Sequence, residues 1–342
     1  MHLLSPGLEA ILVIGPNWIG DAVMSTPALA NLRRGLPKAK IDLLVPRHVA
    51  PLFEYHPHID RVLVRDRQRP WRVCLAQVLS LRQSTYSMVL LLPNSFRAAL
   101  YAWLVGSPIR LGYATDGRRW LLTHAVPATA GRPTHQIDAY LQLVAALGVP
   151  IVERSPMLVP TLQAEMQAEH LWSAQGWGPD DRVIGMCPGA ASGPAKRWWP
   201  ERFAALADRL IASGGFRVVF FGSPHEVSLV EHIRVHMTHQ AASLAGQDTL
   251  GSFIALAARC AAMITNDSGS MHIANAVGTR VVALFGPTDP RRTAPMAAPA
   301  AVLRHDPDCS PCFRTTCPYA DHPCMRFIEV DDVYGAVLQI LG

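Results

Sequence analysis

The stretch Ile11-Leu12-Val13-Ile14-Gly15-Pro16-Asn17-Trp18-Ile19-Gly20-Asp21 opens with an unbroken apolar run and then breaks at a glycine and a proline. A run of that length bounded by turn residues reads as a strand buried on both faces. Ala22 to Leu36 follow with a helical pattern, so the chain starts as strand, turn and helix. Ile41 to Val45, Arg61 to Val64 and Met88 to Leu92 repeat the theme as short strand-like runs separated by segments able to form helices. Strands alternating with helices predict a parallel sheet covered on both faces. Residues Thr134 to Leu147 read as an amphipathic helix that Gly148-Val149-Pro150 ends.

Ser155 to Pro160 is extended and holds two prolines, which marks a linker. After a helical run at Thr161 to Ala174 the pattern restarts with Val183 to Met186, Arg217 to Phe221, Ala262 to Thr265 and Val281 to Phe285. A chain of 342 residues exceeds the usual single-domain range. The expectation is therefore an α/β protein of two Rossmann-like doubly wound domains, 1–160 and 161–328, facing each other across a cleft. Asp331 to Leu341 reads as a final short helix with acids in its first turn, where the helix dipole favours them.

Half of the residues are hydrophobic and 17% are charged, yet no apolar run approaches the ~20 residues that span a bilayer. The first residues lack a basic segment followed by a long apolar run and a cleavage site, so a cytoplasmic protein is expected. The formal charge of +5 is unevenly placed: residues 1–160 hold 17 Lys and Arg against 9 Asp and Glu, whereas residues 161–342 hold 14 against 17. A basic half can attract nucleic acid, an anionic membrane or a phosphorylated substrate, or can be plain solvated surface.

Gly15 and Gly20 bracket a turn whose backbone N–H groups can face a ligand, with Asp21 at or near the helix start. Asp21 can equally be an N-cap. The spacing matches neither the dinucleotide fingerprint nor a phosphate loop with Lys-Ser/Thr. A second loop, Pro188-Gly189-Ala190-Ala191-Ser192-Gly193-Pro194-Ala195-Lys196-Arg197-Trp198-Trp199-Pro200, lets a polyanion approach small residues and the Ser192 hydroxyl beside Lys196 and Arg197. The alternative is solvent-facing bases and tryptophans that anchor packing. Third, Thr265-Asn266-Asp267-Ser268-Gly269-Ser270-Met271-His272 runs from a strand into a helix, setting Ser268 and Gly269 at a helix N-terminus suited to an anion. There Asp267 can cap and His272 can lie on the helix face. Glu226, just past a strand end, is placed to accept hydrogen bonds from ribose hydroxyls.

Taken in order, Gly20 to Pro27, Cys187 to Ala190 with Gly193 to Trp198, Asn266 to Gly269 with His272, and Phe285-Gly286-Pro287-Thr288 resemble the bacterial ADP-heptose:lipopolysaccharide heptosyltransferases of glycosyltransferase family 9. The likeness covers nearly the whole chain, and the segment Gly193 to Trp198 looks more like the type II enzymes than type I. The resemblance implies a GT-B fold with an acceptor-binding first domain, a donor-binding second domain and a C-terminal helix, 329–342, packing back on the first. It implies Asp21 as general base and Lys196 steadying the donor diphosphate. Ser192, Arg197, Glu226, Asp267, Ser268, Gly269 and His272 complete the donor site, with Glu226 on the ribose. Transfer of heptose from ADP-L-glycero-D-manno-heptose would invert the anomeric centre without a required metal cofactor. The acceptor would be a phosphorylated, Kdo- and heptose-bearing lipid A at the cytoplasmic face of the inner membrane, met by Asn17, Arg97, Arg118 and Arg119. Any of these arginines can instead be solvated surface.

Cys309, Cys312, Cys317 and Cys324, with His305 and His322 nearby, leave open a structural zinc site in the tail 305–324. Their spacing fits no standard zinc module, and the cytoplasm disfavours a disulfide framework. Other heptosyltransferases of the family would share the donor motifs and differ in acceptor contacts. A non-catalytic nucleotide- or nucleic-acid-binding module is the reading from another class; it lacks aromatics interleaved along a basic stripe, and no nucleic-acid partner is expected.

Overall fold

The computed structural model describes residues 8–65, 71–128, 133–178 and 180–342. Contacts divide the chain into two units, 1–156 and 157–342, so the division falls four residues before the Pro160 limit read from the sequence. In the first unit the strands β1 (Ala10–Ile14), β2 (Lys40–Pro46), β3 (Arg61–Arg65), β4 (Met88–Leu91), β5 (Ile109–Tyr113) and β6 (His124–Val126) form one sheet in the order 3-2-1-4-5-6. Every pairing is parallel. In the second unit β7 (Val183–Cys187), β8 (Arg217–Phe220), β9 (Ala242–Ser243), β10 (Ala262–Asn266), β11 (Arg280–Phe285) and β12 (Ala300–Arg304) pair in parallel in the order 12-11-10-7-8-9. Counted from its own first strand, the second sheet repeats the order of the first. Both are doubly wound sheets, in which ligands bind beyond the carboxyl ends of the strands where the order reverses.

The long helix expected over 22–36 is two helices, Ile19–Met24 and Thr26–Gly35. Pro27 lacks an N–H and can sit only in a first turn, so the second helix starts at Thr26, while Ser25 Oγ donates to the Ala22 carbonyl. Gly15 is required by packing: a Cβ there would stand 2.5 Å from Val45 Cγ1.

The second core gathers around Trp198, fully buried, whose Nε1 donates to Ile328 O at 2.9 Å and whose ring meets Phe203 edge-on at 5.1 Å. The helix Val330–Leu341 closes this core. It buries Val333, Ala336 and Val337 and packs on the helix Pro200–Ala212, β11 and β12. Arg209 lies over the Tyr334 ring at 4.1 Å. The apolar stripe of this helix is matched to the core of the second unit. No helix among the described residues is long and apolar enough to cross a membrane.

Candidate active site

In the second unit, four loops leave the carboxyl ends of β7, β8, β10 and β11. Asn266, the last residue of β10, is fully buried and fastens the β7 loop. Its Nδ2 donates to the carbonyls of Pro188 (2.7 Å) and Gly189 (3.3 Å), and its Oδ1 accepts from Trp198 N at 3.0 Å. The loop leaves and returns against one side chain, which presents the turn Pro194–Lys196 toward β10.

The next residue, Asp267, is 4% exposed. Its Oδ2 accepts from Lys196 Nζ at 2.6 Å and from Thr288 Oγ1 at 2.7 Å. Lys196 Nζ also donates to the Asp267 carbonyl at 3.3 Å. Capping by Asp267 is not what the structure shows; Ser268 occupies the N-cap position of the helix Gly269–Ala276, and its hydroxyl shares a 2.7 Å hydrogen bond with Ser270 Oγ. Lys196, Asp267, Ser268 and Gly269 are thus brought together at that helix N-terminus. His272 is buried on the same helix. Arg197 follows Lys196 with its Nε buried and without a hydrogen-bond partner. Ser192 is exposed on the loop.

Glu226 approaches the same loop from β8. Its Oε2 accepts from Ser223 N and Ser223 Oγ, both at 2.9 Å. A Cβ at position 189 would stand 1.8 Å from Glu226 Oε1, so the carboxylate lies against the β7 loop only because residue 189 is glycine. Asp248, beyond β9, was not singled out in the sequence; burial pushes its carboxyl up to about 7. Thr288 was quoted only within a motif, and its role as a partner of Asp267 depends on a contact across 21 residues.

In the first unit Asp21 is half-buried in the first turn of the helix Ile19–Met24; the N-cap position belongs to Trp18, so Asp21 is not the cap. Complete burial, and then the charge of Asp21, push the Tyr140 hydroxyl well above its ordinary value. The Asn17 side-chain oxygen accepts from Arg65 at 2.6 Å, which ties it into the scaffold.

Arg118 is not the solvated-surface residue that the sequence left as the alternative. It is fully buried, and its guanidinium donates to the carbonyls of Tyr113 (2.9 Å), Pro93 (2.5 Å) and Ser95 (3.0 Å) and reaches Asn94 Oδ1 at 3.4 Å. Burial lowers its pKa to about 10. Its donors are engaged by the loops after β4 and β5, which it organises. Those loops instead present Arg97 and Arg119, both exposed, beside the exposed rings of Phe96 and Trp120, whose centroids are 5.9 Å apart.

Cys309, Cys312, Cys317 and Cys324 line one cavity of about 230 Å³ together with His322 and Arg314. Burial and the neighbouring thiols push the Cys324 thiol up to about 11. Although they share a cavity, no group of three or more His, Cys, Asp or Glu among the described residues is arranged to hold a metal ion. The four thiols wall this cavity beside Ala195 and Pro287.

Two doubly wound units, one with a lysine at a helix start, are a scaffold shared by many activities, and comparison with known proteins assigns the class. The profile of glycosyltransferase family 9 (heptosyltransferase) matches residues 75–322, and the chain belongs to that family. Lipopolysaccharide heptosyltransferase 2 of Salmonella typhimurium is 34% identical over 312 residues, covering 86% of this chain and 87% of the relative. Among solved structures, a family 9 glycosyltransferase from Veillonella parvula superposes with a TM-score of 0.87 at 27% identity, covering 97% of both chains. ADP-heptose lipopolysaccharide heptosyltransferase II of E. coli superposes with a TM-score of 0.82 at 29% identity, covering 97% of this chain and 98% of that one.

Arg118→Met should lower stability by about 2–4 kcal/mol, because several buried carbonyls lose their donor at once. Arg119→Met should stay within about 0.5 kcal/mol of wild type. Urea denaturation of both variants reads the contrast, and equal stabilities would mean that Arg118 does not hold the two loops.

Proposed function

We propose that this chain is an inverting GT-B transferase that moves L-glycero-D-manno-heptose from ADP-heptose to the heptosyl-Kdo2-lipid A inner core, as heptosyltransferase II. The observation that carries the reading is the Lys196–Asp267–Thr288 cluster at the start of the helix Gly269–Ala276. An ammonium and a helix N-terminus side by side suit a diphosphate leaving group. The relatives named heptosyltransferase 2 support the sugar and the acceptor.

In this reading the acceptor hydroxyl oxygen attacks C1 of the heptose on the face opposite ADP. The bond from C1 to the diphosphate oxygen breaks, its electron pair leaves with ADP, and the hydroxyl proton passes to Asp21. Lys196, the N–H groups at Ser268 and Gly269 and the Arg197 guanidinium stabilise the charge growing on the diphosphate, which is worth most where it develops in the transition state. Glu226 accepts from the ribose hydroxyls with the oxygen that Ser223 leaves free. On the acceptor side, Arg97 and Arg119 meet anionic groups of the glycolipid next to Phe96 and Trp120, and the excess positive charge of residues 1–160 favours peripheral residence at the cytoplasmic face of the inner membrane. Incubation with ADP-L-glycero-D-manno-heptose and two acceptors, one carrying and one lacking the first core heptose, tests the assignment. Product mass should rise by one heptose only with the heptose-bearing acceptor.

Asp21→Asn should reduce kcat by ~10²–10⁴ while ADP-heptose affinity stays near wild type, since a general base acts in the transition state. A near-normal rate across neutral pH would remove Asp21 from the mechanism. Lys196→Ala should weaken ADP binding, measured by calorimetry, and lower kcat/KM by ~10²–10³. Unchanged values for both would take Lys196 out of the donor site. Transfer should persist in EDTA because protein groups neutralise the leaving diphosphate; a rapid loss restored by Mg²⁺ or Mn²⁺ at constant melting temperature would contradict that.

A further inference from the structure

Lys196 has one backbone neighbour whose two polar groups are both held by a distant segment. Ala195 N donates to Thr315 O at 3.1 Å, and the Ala195 carbonyl lies 2.7 Å from His322 Nε2. A carbonyl can only accept, so Nε2 carries the hydrogen of this bond. The approach is close: Gly193 has φ +132°, and a Cβ on it would stand 2.3 Å from Thr315 O. The same cysteine-rich segment also ties down the loop after β11, where Phe313 N donates to Pro287 O and Ser310 Oγ donates to Gly286 O, each at 2.8 Å. Lys196 and Thr288, which both donate to Asp267 Oδ2, therefore sit on loops fastened by one stretch of chain, residues 310–322.

We propose that His322 is a positioning residue for Lys196: through the Ala195 carbonyl it fixes the turn that aims the ammonium at the donor diphosphate. The imidazole acts on Lys196 through one peptide unit. Errors of about 1 Å in a charged group near the reacting atoms cost up to ~10²-fold in rate, so a single hydrogen bond to this turn is enough to matter. The proposal rests on the donor-site reading of Lys196. It also accounts for the segment around the four cysteines, whose thiols wall a cavity that reaches Ala195 and Pro287.

The test uses two substitutions at a residue with left-handed backbone, φ 45° and ψ 63°. Asn tolerates that conformation but is too short to reach Ala195, whereas Gln carries an amide N–H to about the same distance as the imidazole. His322→Asn should lower kcat/KM for ADP-heptose about tenfold, with the KM for the acceptor unchanged, and should speed amide hydrogen exchange in residues 193–197. His322→Gln should return both readouts most of the way to wild type. A lower melting temperature in His322→Asn with wild-type kinetics and wild-type exchange at 193–197 would make the histidine merely structural and overturn the proposal. Equal damage in Asn and Gln variants would overturn it as well. If wild-type protein does not turn over ADP-heptose, the functional reading fails, while the exchange contrast still decides whether His322 holds the turn.

Discussion

A carboxylate sealed from water cannot remain unpaired, and the second unit is arranged around that constraint at Asp267. Breaking a buried ion pair by removing one partner typically costs about 3–5 kcal/mol, so Lys196 and Asp267 hold each other in place. Because they are 71 residues apart, the pair also fixes the β7 loop against the end of β10. Asn266 performs the neutral half of the same task one residue earlier, satisfying the carbonyls of Pro188 and Gly189 and the N–H of Trp198. Two consecutive side chains on alternate faces of a strand end thereby organise one loop, the first by amide hydrogen bonds and the second by charge.

The repeated sheet order gives each unit the same strand-end geometry with different chemistry on it. The second unit converges on an ammonium–carboxylate pair at a helix start. The first has a carboxylate, Asp21, in a first helical turn and an arginine, Arg118, that fastens the loops after β4 and β5. A common backbone scheme thus carries an ammonium–carboxylate pair at a helix start in one half and a surface of exposed bases and rings in the other. Fold and chemistry are separable here, and the fold alone would not have distinguished the two.

How much of this was legible in the sequence follows from burial. Strands covered on both faces, such as β1, β4 and β10, appear as unbroken apolar runs and were placed within one or two residues. The edge strands β6, β9 and β12 were missed, since their residues are partly exposed or, in β9, only two in number. β5 was hidden by Arg110 and Gly112 within it. Among the candidate residues, the grouping of Lys196, Asp267, Ser268 and Gly269 is readable from loop composition and helix-start position. The burial of Arg118 is not legible, because a charge in a polar loop gives no sign of whether its partners are solvent or buried carbonyls. His322 and Thr288 owe their significance to contacts across 127 and 21 residues, which no local pattern encodes.

The contact between Gly189 and Glu226 has a steric consequence. Since the Oε1 oxygen lies where a methyl at 189 would stand, a side chain there has to displace the carboxylate end of Glu226. An alanine at 189 would turn the acid away from the loop, and a shorter acid at 226 would leave the methyl unopposed. Two positions 37 residues apart thus share one small volume, and whichever side chain fills it decides whether a carboxylate or a methyl faces the turn.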